Sequence, residues 1–199
     1  MLGFNYKKSV QALNFFAIKA GGSINKMKVL KLIWLSDRLH LRNFGRPILN
    51  DTYFALNYGP VASNTKDLVE NTSFLTEPER EYRNQYLSNN SQNNYDFQSG
   101  NPVDTRVFSK TDIEVMETVF KVFGHLNEFQ LSEESHKYME WKKFEGHLKS
   151  GTASRFEMNY EDFFSSFQEG ESIVFEKDAE FLEASRDMFL ENGYIYRLV

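Results

Sequence analysis

The chain of 199 residues has no cysteine. Disulfides and thiolate metal sites are therefore excluded, and a reducing compartment is the simpler assumption. Long apolar runs are missing too. The most apolar stretch, around Val29 to Leu35, is interrupted by Lys31 and falls far short of the roughly 20 residues of a membrane span. The opening MLGFNYKKSVQ has two lysines but no apolar core and no small-residue cleavage site, so it does not read as a secretory signal. A cytoplasmic protein without a membrane partner is expected. Positive charge is in short supply: 23 Lys and Arg against 28 Asp and Glu give a net charge of −5. Because nonspecific nucleic-acid affinity comes mainly from cations neutralising phosphates, that balance argues against a nucleic-acid partner. The basic clusters Lys7-Lys8, Lys26-Met27-Lys28 and Lys142-Lys143 read as solvated surface.

Familiar chemical signatures are lacking as well. No phosphate-cradling glycine loop and no nucleophile elbow is present. The histidines, His40, His125, His136 and His147, show no metal-ligand spacing. The expectation is no metal and no cofactor.

What is abundant is aromatic: 16% of residues, with 19 Phe, a supply used mostly for cores and, after that, for protein interfaces. The length suits one domain over 1–199, able to bury about 70% of its unfolded surface. Apolar positions Val10, Leu13, Phe16, Ala17 and Ala20 follow helical spacing until Gly21-Gly22, giving a first helix. Ser23 or Asn25 can cap a second, running through Met27, Leu30, Ile33, Trp34 and Leu41 to the break at Asn43-Phe44-Gly45. Its apolar stripe is wide, as in the most buried member of a bundle. Turn residues around Tyr53, Phe54 and Tyr58 predict a short hairpin or strand, and Pro60 fits the start of a third helix reaching about Asn71.

Half of the residues in 84–101 are Asn or Gln; within a polar insertion over 77–107 this segment is expected to be exposed, with a second hairpin pairing Tyr95-Asp96-Phe97 with Val103 to Phe108. Ser109 and Asp112 form a capping box opening a helix with Ile113, Met116, Val119, Phe120 and Phe123 on one face, closed by Gly124. Asn127 caps the next. In the C-terminal helical extension, 150–199, Asn159 is expected to cap a helix with Phe163, Phe164 and Phe167. A last helix turns Phe181, Leu182, Ser185, Met188 and Phe189 inward, and Gly193 to Val199 reads as a strand. The class is mainly α (α+β): a compact helical domain with one or two short β-hairpins.

Asp37 and His40 sit three apart on the second helix, on one face. A carboxylate beside an imidazole can serve as a general base, and an enzyme using this pair, with His136 in a shared pocket, is one reading. The stronger one is a hydrogen-bonded network with Arg42 or Arg46 pinning the helix end to the following loop.

The order Lys31-Leu32-Ile33-Trp34 … Asp37 … His40-Leu41, then Gly45-Arg46-Pro47, then Tyr53-Phe54 … Tyr58-Gly59-Pro60-Val61 resembles the Panacea family, the SocA-like antitoxin domain also found in phage-associated proteins. Phe108-Ser109 … Asp112, Gly124, Leu131-Ser132, Ser135-His136 and Trp141 look like its later helices. The likeness covers about residues 8–145; Ser36 departs from the small apolar residue expected there. It implies a prokaryotic antitoxin, without catalytic turnover, that binds a cognate protein toxin directly; some relatives instead deliver the toxin to an ATP-dependent protease. Asp37, His40, Tyr58, Gly59, Pro60, His136 and Trp141 become partner-binding or scaffold candidates. Tyr58-Gly59-Pro60 is expected to form a tight turn against the second helix, either rimming a toxin-binding face or serving as scaffold. The aromatics Tyr86, Tyr95 and Phe97 of the polar segment are candidate exposed anchors.

Overall fold

A computed structural model describes residues 3–90 and 93–195. The first helix, α1 (Tyr6–Lys19), starts where the Asn5 side chain accepts from the Lys8 amide and stops before Gly21 and Gly22. A short strand, β1 (Ser23–Asn25), leads into α2 (Lys26–Phe44). Asn25 caps α2 by accepting from the amides of Met27 and Lys28. At its other end Gly45 takes a left-handed conformation (φ 61°) and returns its N–H to the Leu41 carbonyl. An added Cβ at Gly45 would lie 2.6 Å from the Ser185 carbonyl oxygen, so this stop signal doubles as a close-packing position.

Around α2 the remaining elements close on every side. The hairpin β2 (Tyr53–Leu56) and β3 (Gly59–Ala62) pairs Tyr53 with Ala62 and Leu56 with Gly59. Next come α3 (Ser63–Glu70), α4 (Glu77–Tyr86), β4 (Leu87–Asn89) and β5 (Asp96–Ser99). The second half holds α5 (Lys110–Phe123), α6 (Glu128–Ser135), α7 (Met139–Lys142), α8 (Glu145–Lys149), β6 (Phe156–Glu157) and α9 (Ala179–Ile195). The strands make two antiparallel three-stranded sheets, ordered β1-β5-β4 and β3-β2-β6. The fold is mainly α with short β elements. The capping boxes at Ser109 and Asn127 form as the sequence predicts.

Several expectations are corrected. Pro60 lies in β3 opposite Ala55, and the helix starts at Ser63 because the Asp51 carboxylate takes the first-turn amides of Asn64 (2.9 Å) and Thr65 (2.7 Å). The polar insertion begins with a helix, α4, opened by a Thr76/Glu79 capping box with Pro78 in its first turn. The partner of Asp96–Ser99 is Leu87–Asn89, and β1 adds on the other side. Leu87 and Phe97 are buried beneath that sheet; two apolar side chains aimed at the core anchor an otherwise Asn/Gln-rich segment. Residues 103–108 form only the 3-10 turn Thr105–Val107. Asn159 does cap, accepting from the Glu161 amide, but the element it opens is the 3-10 turn Tyr160–Phe164. In α9, Leu182, Ser185 and Phe189 face inward while Phe181 and Met188 are exposed. The expected terminal strand is helix as far as Ile195; residues 196–199 lie outside the described residues.

The C-terminal extension is bound to α2 by two buried arginines. Arg38 Nε donates to Glu140 Oε1 (2.7 Å) and Nη2 to Glu171 Oε2 (3.3 Å). Its guanidinium also lies over the rings of Tyr138 (4.2 Å) and Phe175 (4.4 Å), a double cation–π contact. Arg42 donates to the carbonyls of Phe175 (3.0 Å), Phe163 (2.9 Å) and Ser165 (2.7 Å). Phe163 and Phe175 are fully buried.

Removing the cation at position 38 would strip two buried carboxylates of their one ion-pair partner among the described residues. Arg38→Met is expected to cost about 3–5 kcal/mol in urea unfolding, and Arg38→Met/Glu140→Leu to recover part of that loss. A loss below about 1 kcal/mol for the single variant would contradict the ion-pair account.

Candidate functional site

Asp37 and His40 occupy the C-terminal half of α2, both fully buried. Asp37 Oδ1 accepts from the amides of Ile48 (2.8 Å) and Leu49 (3.1 Å), and Oδ2 from the Tyr53 hydroxyl (2.9 Å). Burial pushes the Asp37 carboxyl up to about 7, against the pull of these three donors and aided by nearby Asp51. His40 donates from Nδ1 to the Arg46 carbonyl (2.8 Å), while Nε2 faces Thr111 Oγ1 (3.0 Å) and Asp112 Oδ1 (3.2 Å). Asp112 also meets Lys8 (2.7 Å) and Arg46 (2.9 Å). Burial disfavours its charge, yet the hydrogen bonds from His40, Lys8 and the Ser109 amide win and hold the carboxyl far below the usual range.

The two side chains thus share a helix but serve different partners. Asp37 fastens the loop before the hairpin; His40 fastens the helix end to the start of α5. The 840 Å³ cavity beside the hairpin is lined by Asn50, Asp51, Tyr53, Asn64, Tyr160 and Phe189 among others, and by neither Asp37 nor His40. His136 lies elsewhere, stacked on Trp141 at 3.7 Å with the planes 11° apart.

Five other candidates do come together, around a residue to which the sequence reading gives no role. Lys31, in the first half of α2, is buried and its Nζ donates to the Pro60 carbonyl at 2.8 Å. Above it runs the turn Tyr58-Gly59-Pro60. Gly59 has φ 94°, and a Cβ there would collide with Ser135 Oγ and lie 2.8 Å from Lys31 Nζ. Only glycine fits, for the backbone angle and for the space. Ser132 Oγ donates to the Tyr58 carbonyl (3.0 Å), Ser135 Oγ to the Ser132 carbonyl (2.7 Å), and Trp141 Nε1 to the Leu56 carbonyl (2.9 Å). Both ends of the hairpin turn are therefore held from α6 and α7. Burial lowers the His136 imidazole below its ordinary value, and the nearby Lys31 charge adds to this.

The Tyr58 ring itself points outward, 62% exposed. Of the other aromatics expected at the surface, Tyr95 is exposed, Tyr86 is half-buried against Tyr82 (5.1 Å between centroids), and Phe97 is in the core. Phe97 is removed as an anchor. None of the three reaches the Tyr58 turn by a hydrogen bond or ring contact. Among the described residues no group of three His, Asp or Glu side chains is placed to hold a metal ion, and no helix is long and apolar enough to cross a membrane. The position of Lys31 inside the apolar run of a widely apolar helix was the available signal for its burial.

The site can brace a turn; its chemistry is that of positioning. Among the described residues Lys31 has no carboxylate partner, and burial takes its amine from 10.5 down to about 7.

A family model described as antitoxin SocA-like, Panacea domain, matches residues 29–142, from the first turn of α2 to the end of α7. No curated protein and no solved structure matches the chain.

These two buried groups set opposite pH dependences. Between about 7 and 10.5 the unfolded chain holds a Lys31 proton that the folded chain lacks, so stability rises with pH across that window. Between 3.8 and about 7 the folded chain keeps an Asp37 proton that the unfolded chain has released, so stability falls as pH rises there. Lys31→Met is expected to raise stability at neutral pH by about 1–3 kcal/mol and to flatten the alkaline rise in urea midpoints. An unchanged alkaline slope would show that Lys31 is not its source. Gly59→Ala should destabilise by roughly 2 kcal/mol or more, from strain and the Ser135 clash together.

Proposed function

We propose that this chain, which belongs to the antitoxin SocA-like, Panacea domain family, is an antitoxin that neutralises a cognate protein toxin by binding it directly. Family membership supports an antitoxin-like role in general terms, and with it a protein partner; work done without turnover is in keeping with that role. The observation that carries the finer reading is the way the chain's most reactive-looking groups are used. Asp37 and His40 are enclosed, each with its polar atoms engaged by main chain, hydroxyl or carboxylate. The braced turn beside α6 meanwhile leaves an aromatic ring in solvent. Groups consumed in holding a scaffold are poorly placed for acid–base work. A rigid surface, by contrast, loses little freedom when it docks.

The direct test is co-expression with the protein encoded by the adjacent gene. Growth rescue together with a stable co-purifying pair is the expected outcome. Neutralisation that vanishes in a strain lacking an ATP-dependent protease, with toxin levels rising there, would replace occlusion by delivery for degradation. If a small-molecule reaction were lost on His40→Ala while the fold survived, the binding reading would be wrong.

A further inference from the structure

We propose that the face formed by Tyr58, Phe129 and Glu133 docks a basic surface of the protein partner, with an arginine stacked on the two rings. This rests on the protein-binding reading above and adds where the partner sits and what chemistry it presents.

Tyr58 and Phe129 are 62% and 59% exposed. They belong to different elements joined directly, since Ser132 of α6 holds the Tyr58 carbonyl at 3.0 Å. Phe129 is one turn before Ser132, and Glu133 comes four residues after Phe129, so the ring and the carboxylate share the outer side of α6. Two large exposed rings on a braced backbone are what an interface centre uses, with aromatic anchors that lose little entropy on contact.

Charge selects the occupant. Glu133 is exposed and forms no ion pair among the described residues, nor does Glu128 at the start of α6, although Glu128 feels the Lys28 charge. Three nearby cations are otherwise engaged. Lys28 Nζ donates to the Gly124 carbonyl (2.7 Å), Lys31 lies under the turn, and Lys137 pairs with Glu134. Carboxylates without an ion-pair partner, on a face that carries exposed aromatic rings, attract a cation and repel phosphate. A guanidinium satisfies both features at once, stacking on a ring while pairing with the carboxylate. The occupant is therefore a basic protein surface presenting arginine, not a nucleic acid.

The test uses the full chain with its co-expressed partner from the adjacent gene. Tyr58→Ala/Phe129→Ala is expected to weaken the complex by about tenfold or more, and Glu133→Arg to weaken it and reduce its sensitivity to salt. All three side chains are solvent-facing, so thermal melts should stay at the wild-type midpoint. A complex whose affinity changes by less than about twofold in every variant overturns the face while leaving the antitoxin reading intact. If no complex forms and growth is not rescued, the antitoxin reading fails. The face is then judged by amide NMR titration with a short blocked arginine-leucine-arginine peptide. Shifts confined to residues 58, 129 and 133 and their neighbours support it; shifts elsewhere, or none, remove it.

Discussion

The central helix buries charge. Within α2, Lys31, Asp37, Arg38, His40 and Arg42 are all out of contact with water, and an ion moved into such surroundings without a partner costs several kcal/mol. Several neighbours of α2 can be understood by which of these groups they serve. The loop after the helix gives two amides to Asp37, the hairpin gives a hydroxyl to Asp37 and a carbonyl to Lys31, and α5 gives Thr111 and Asp112 to His40. The segment from Glu140 to Phe175 serves the two arginines. Aromatic and aliphatic burial supplies the bulk of the folding free energy, while these polar connections fix which surface meets which.

This division explains what could be read from the residues alone. Local signals were sufficient for three helices that carry their own punctuation. Asn25 and Gly45 bracket α2, Ser109 and Asp112 open α5, and Asn127 opens α6, because a cap acts within four residues of itself. Long-range pairings were not readable in the same way. The register Leu87–Asn89 against Asp96–Ser99 depends on Phe97 finding the core and on β1 supplying a further edge, and neither is encoded within the polar segment. Pro60 shows the same limit: its ring suits a helix start as well as an edge position, and Asp51, capping from twelve or more positions away, decides for the strand. At the site, the motif Tyr58-Gly59-Pro60 and the pair His136 and Trp141 stood out by residue type. Their meeting over Lys31 did not, because lysine is so commonly a surface residue.

The turn divides its contacts between interior and solvent within three residues. Gly59 and Pro60 face inward, one filling a space that only hydrogen can occupy and the other lending its carbonyl to Lys31. Tyr58 gives its carbonyl to Ser132 and its ring to solvent. With the main chain fastened from below and the side chain free above, the ring can be exchanged without disturbing what holds the turn, which suits the partner-binding role proposed for this face. Partner choice can then be tuned by a few exposed side chains and by repulsion of unsuitable ones.

Arg42 donates to main-chain carbonyls alone, those of Phe163, Ser165 and Phe175. Every amino acid carries that oxygen. The Arg42 contacts therefore constrain the path of the closing segment and not its side chains, whereas Arg38 demands the carboxylate of Glu171 and the ring of Phe175. An arginine that reads only the peptide path gives the domain a clasp indifferent to spelling, and a region beyond the reach of a family profile can diverge in letters while remaining the same piece of architecture.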